Sequence, residues 1–250
     1  MEIEHSFYLF AVPAVLFAGI SKGGFGSGAA FAATPFLALI LEPAQAVGFM
    51  LPLLMVMDIG ALRPYWKKWS WPEARSLMLG AVPGILLGAA LYSVANPDVF
   101  RLMIGVIAVG FVMFQIGRQR GWIRPAKQPM SERAGIIAGA AAGFTSFISH
   151  AGGPPSAIYL LSRQLTKTSY QATTVLVFWA INLMKFPIYV AIGFFSAELF
   201  VAQLWMAPVA LVGVGLGVVF HRMIDDRMFF GLTYVFLTVT GSKLIWDALT

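Results

Sequence analysis

Hydrophobic residues run along this chain in long blocks instead of alternating with polar ones. Ten blocks stand out, at roughly 6 to 21, 29 to 41, 44 to 62, 73 to 94 and 99 to 117, then 134 to 148, 154 to 162, 170 to 193, 199 to 220 and 228 to 247. A basic connector, GRQRGWIRPAKQPMSER, separates the two sets of five. Crossing a bilayer takes about 20 apolar residues at about 1.5 Å rise each. The third, fourth and fifth blocks of each set meet that length and predict transmembrane helices. The first two of each set are marginal or too short. A tip joins each such pair, at Ser21 to Gly28 and at Ser149 to Pro155. These pairs predict re-entrant or broken helical hairpins that enter and return on one side.

The two sets match in character. AGISKGG recurs as AGFTSFI, Gln45-Ala46 as Gln171-Ala172, and Pro83 corresponds to Pro208. This predicts a tandem duplication within one transmembrane domain, residues 1–122 with the connector and residues 123–250. Three crossings plus a hairpin is an odd count, so the second repeat is expected upside down relative to the first. Loop charges agree. Arg63, Lys67, Lys68 and Arg75, the connector's basic residues, Arg163 and Lys167, and Arg222 and Arg227 all fall on one face of the inverted arrangement. The opposite face collects Glu2, Glu4, Glu42, Asp98, Glu198 and Asp247, with Arg101 and a snorkelling Lys243 as its cations. The basic face is expected to be cytoplasmic, with both termini outside.

Composition narrows the class. With 59% hydrophobic and 11% charged residues, the chain has too little polar surface for a soluble globule and reads as an all-α polytopic membrane protein. The formal charge of +6 sits in short loops beside apolar spans, which argues for membrane orientation and against nucleic acid. The absence of cysteine excludes disulfides, thiolate catalysis and cysteine-ligated metal. His5, His150 and His221 lie at separate depths, so neither a metal site nor a cofactor is expected. The start, MEIEHSF, lacks the cation of a secretory signal.

The tips carry the candidate chemistry. SKGGFGSG puts Ser21, Lys22, Gly23, Gly24, Gly26, Ser27 and Gly28 inside an apolar run, and SHAGGPP does the same with Ser149, His150, Gly152 and Gly153. Non-helical backbone at that depth survives only when buried in protein or lining a wet cavity. Half-helices restarting near Gly28 and Pro154 would aim free N–H groups and positive dipole ends at one central point, which suits an anion. Lys22, Lys185, Asn182, Gln45 and Gln171 are further substrate-binding candidates. An intramembrane cation costs about 2.5 to 3.5 kcal/mol on insertion scales, so it has a partner or a task. His150 and Asp58 are candidates for proton coupling, and Asp58 is more readily a structural partner of Arg63 or Lys185. Gly80, Gly84 and Gly88, with Gly213 and Gly217, repeat every four residues and predict close helix packing.

Rival chemistries fit less well. An intramembrane hydrolase would use Ser27-Gly28 with His150, but Phe25 stands where its motif needs glycine. Gly24, Gly26 and Gly28 imitate part of a dinucleotide fingerprint without the preceding strand. An anion-selective channel stays open, because paired half-helices also build pores.

AGISKGGFGSG, GFTSFISHAGGPPSAIYLL and the spans QAVGFMLPLLMVMD and QATTVLVFWAINLMKFPIYV that follow them resemble the sulfite exporter TauE/SafE family, over about Phe7 to Ala248. The resemblance implies two inverted halves and transport of a small sulfur-containing or carboxylate anion, such as sulfite, sulfoacetate or a related sulfonate, across a bacterial inner membrane. A homodimer is compatible with it. The halves differ in that Lys22 has no cationic counterpart by direct offset, while the second tip carries His150 and two prolines. The membrane potential is worth about 2.3 kcal/mol per charge per 100 mV, so a monoanion leaves a negative-inside cell without a coupled ion, whereas import needs one.

Overall fold

A computed structural model describes residues 5–25, 29–123, 128–220 and 226–250. Within them the chain forms ten α-helices and no strand: α1 His5–Ile20, α2 Ala33–Leu37, α3 Pro43–Leu62, α4 Trp71–Val94, α5 Pro97–Gln119, α6 Glu132–Ser149, α7 Gly153–Ser162, α8 Lys167–Ala191, α9 Ala197–Phe220 and α10 Asp226–Leu249. Starts follow local chemistry. Asn96, Ser131 and Thr166 each accept a hydrogen bond from the backbone N–H three residues on, satisfying a donor that the first turn leaves free.

Among the described residues, seven helical runs are long and apolar enough to cross a membrane. Six are the expected spans, α3 to α5 and α8 to α10. The seventh is unexpected: Phe7–Gly24 makes an 18-residue apolar run. The helix does not break at Ser21, because Ser21–Phe25 continues it as a wider π-helical turn. The first arm of the first pair is therefore longer than its composition suggests. Its return is short, a 3₁₀ turn at Ala30–Ala32 and then the five residues of α2. In the second pair the ten-residue α7 folds back along α6, with Gly152 against Ala142 and Gly135 against Tyr159.

Several of the larger helix contacts recur when the two sets of helices are exchanged: α4 with α6 as α9 with α1, and α3 with α9 as α8 with α4. α3 and α8 cross the middle antiparallel: Asp58 meets Asn182, Ser70 meets Thr173 and Gly48 meets Phe194. α5 and α10 are also antiparallel, Gly105 facing Gly241 and Phe111 facing Tyr234. α4 lies parallel to α6, and α9 lies parallel to α1. Those parallel pairs use the predicted glycine stripes. A Cβ at Gly80 or Gly84 would stand 1.9 or 2.0 Å from the carbonyl oxygen of Ile136 or Ala140, and one at Gly217 would stand 2.3 Å from that of Ile20. In lipid, where helix association lacks a hydrophobic drive, such close backbone approach supplies the dispersion contacts.

α3 is the most buried of the seven runs. Pro52 interrupts its ladder and leaves Gly48 O without its usual N–H partner. The amide of Gln203 on α9 makes good the loss, donating to Gly48 O at 3.1 Å and Phe49 O at 3.3 Å.

Candidate functional site

Two charged clusters meet beside α3 and α8. In the first, Lys22 on the π turn forms an ion pair with Asp58 of α3, and its ammonium also reaches Leu54 O at 3.4 Å. The second carboxylate oxygen of Asp58 accepts from Asn182 Nδ2 at 2.7 Å. In the second cluster Lys185, one turn beyond Asn182, is fully buried and donates to Ser146 O at 3.0 Å, Ser146 Oγ at 2.9 Å and His150 Nδ1 at 2.8 Å. Its ammonium also lies 5.8 Å from the centre of the Tyr189 ring, whose hydroxyl donates to Phe147 O at 2.5 Å.

His150 joins the second cluster to the first half. It ends α6 in the left-handed region, at φ 58°, a conformation in which His is enriched among non-glycine residues. Its Nε2 lies 3.0 Å from Val47 O on α3. A carbonyl only accepts, so Nε2 carries the proton, and Nδ1 is left bare to accept from Lys185. The ring is thus neutral. Lys22 is matched by Asp58 and Lys185 has no carboxylate partner among the described residues, so two lysines share the site with one carboxylate.

Lys22, Leu54, Ser146, His150, Phe178 and Asn182, with Ala30 and Phe31, line a cavity of ≈ 10 Å³. That is room for about one water and too little for a four-atom oxyanion. A larger hollow of ≈ 650 Å³ lies between α5, α6 and α7, but its walls are apolar. Its one side-chain hydroxyl, Thr145, already donates to Ala141 O and Ala151 O. It offers an anion no donor.

Several expectations change. Asp58 pairs with Lys22, not with Arg63 or Lys185, because the π turn carries the Lys22 side chain onto the face of α3 that Asp58 occupies. Lys185 turns instead to its own half's tip. Gly23 and Gly24 serve packing, since a Cβ on either would stand 2.1 or 2.2 Å from a backbone oxygen of α9. Gly152 is likewise wedged between Ala142 and Phe178, and Gly153, half-buried, opens α7. Ser21 and Ser149 are buried, and Ser149 donates to Thr145 O of its own helix at 3.4 Å. Gln45 and Gln171 are half-buried near the starts of α3 and α8 and do not line the cavity. Gly26, Ser27 and Gly28 lie outside the described residues. Ser146 went unread in the sequence, although it lies four residues before His150 and therefore on the same helix face.

Ionisable groups from both sets of helices are buried beside one small polar void, an arrangement expected in a membrane protein that handles a charged solute. The family model of the sulfite exporter TauE/SafE matches residues 11–244. The chain belongs to that family, which implies a membrane exporter of sulfite or a related sulfur anion. No curated protein and no solved structure matches the chain.

Proposed function

We propose that this protein is a secondary transporter that moves a small sulfur-containing anion, sulfite or a related sulfonate or carboxylate, across the bacterial inner membrane by alternating access. The observation that carries the proposal is the burial of two lysines against one carboxylate where Lys22, Asn182, Ser146 and His150 line one small cavity. These residues come from both sets of helices, so relative motion of the halves would open the cavity to one side and then the other. The antiparallel α3/α8 and α5/α10 pairs support two inverted repeats, and the basic loops support both termini being periplasmic. A void with room for about one water supports a carrier over an open pore, which needs a continuous wet path.

Purified protein in liposomes loaded with radiolabelled sulfite tests the proposal. A carrier gives saturable efflux that unlabelled sulfite on the far side accelerates. Unsaturable flux with large single-molecule currents would support a channel, and flux equal to that of protein-free liposomes would sink the transport reading.

A further inference from the structure

The charge count at the cavity bears on which anions fit, an inference that rests on the transport reading. Lys22 and Asp58 neutralise one another, His150 is neutral by its hydrogen-bond roles, and Lys185 alone is unmatched. All three polar hydrogens of Lys185 find acceptors within the protein, yet none of these brings a negative charge. A buried cation so placed calls for a charge partner. One arriving negative charge makes the cluster neutral, and a second would be left unmatched at an interior site where little water screens it. We infer that the site selects singly charged oxyanions, sulfonates and hydrogensulfite, against doubly charged ones, and that Asp58 is the specificity-determining residue. Asp58 is well suited to that role because it does not line the cavity. It cancels Lys22 from behind while Asn182 fixes its other oxygen. Lys22 and Asn182 line the cavity while Asp58, behind them, trims the total charge.

Methanesulfonate and sulfate are similar in size and shape and differ in charge, so they isolate this effect. In wild-type proteoliposomes methanesulfonate should compete with labelled sulfite at least about tenfold better than sulfate. Asp58→Asn keeps the Asn182 contact geometry and removes the negative charge, leaving two unmatched cations. It should shift the ratio of the two inhibition constants at least about tenfold toward sulfate. The double variant Lys22→Met, Asp58→Leu removes a matched pair and the Lys22 contact to both anions alike, so both should bind more weakly while their ratio shifts far less than in Asp58→Asn. Sulfate competing as well as methanesulfonate in the wild type, or an unchanged ratio in Asp58→Asn, overturns the inference while leaving sulfite transport intact. Failure to recover folded Asp58→Asn even in high sulfate also overturns it, because sulfate should supply the missing charge. Absence of sulfite transport by the wild type would instead remove the reading on which the inference stands.

Discussion

Lys185→Met is the substitution whose consequences the structure defines most sharply. Methionine fills much of the same volume without the charge or the three donated hydrogen bonds. Hydrogen bonds from a charged donor are worth about 1.5 to 3 kcal/mol each. Against that loss stands relief of the desolvation of a fully buried cation, which is several kcal/mol in real proteins. The two effects largely cancel, so the variant should fold with a melting temperature within a few degrees of wild type. Anion binding should not survive so well. The ammonium sits behind His150, at 2.8 Å from Nδ1. An anion at the far edge of that ring is roughly 6 Å from the charge, and at an effective dielectric of about 20 this attraction is about 3 kcal/mol. The expected loss is about a hundredfold in sulfite affinity. Thermal shift of the purified protein against increasing sulfite reads stability and affinity together, since a ligand that binds the native state raises its melting temperature by mass action. A Lys185→Met protein that binds sulfite within threefold of wild type would refute the assignment of the surplus charge.

Three further outcomes follow from other contacts. Gln203→Leu should lower stability by about 1 to 3 kcal/mol, seen as a lower melting temperature in detergent, because Gly48 O, already deprived of its helix partner by Pro52, loses its substitute donor. Gly80→Ala should prevent normal assembly, since its Cβ would stand 1.9 Å from a backbone oxygen, whereas Gly110→Ala, with open space around it, should leave size-exclusion behaviour and flux unchanged. His150→Gly should keep the left-handed end of α6, where φ is 58°, but lose the bridge between Lys185 and Val47 O. Its liposome flux should fall at least about tenfold while circular dichroism stays helical.

Much of the helical layout was legible because spans leave a composition signal that local reading captures. α3, α4, α5, α8, α9 and α10 have the length that a bilayer demands, and the four-residue glycine spacing announced the close α4/α6 and α9/α1 contacts. The site was legible in part. Lys22, His150, Asn182 and Lys185 stood out because polar groups in apolar runs are expensive, and the structure gathers all four. Their pairing was not legible. Asp58 meets Lys22 across 36 positions only because Ser21–Phe25 winds as a π turn, and glycine-rich sequence reads more readily as a break than as a widened helix. The expectation of a strong half-helix dipole at the first tip also falls short, since α2 has five residues and follows a 3₁₀ turn. Gln203 could have been found: a lone amide in an apolar span, in a chain whose spans contain proline, has a freed carbonyl to seek.

The central claim is that a sulfur anion is held where the two sets of helices meet, and a structure of the protein determined in saturating sulfite tests it most directly. The account predicts anion density in an enlarged version of the small cavity, within hydrogen-bonding distance of Lys22 and Asn182 and beside His150 and Ser146. Density elsewhere, or an occupied state in which those four side chains keep their present contacts around an unexpanded void, would contradict it.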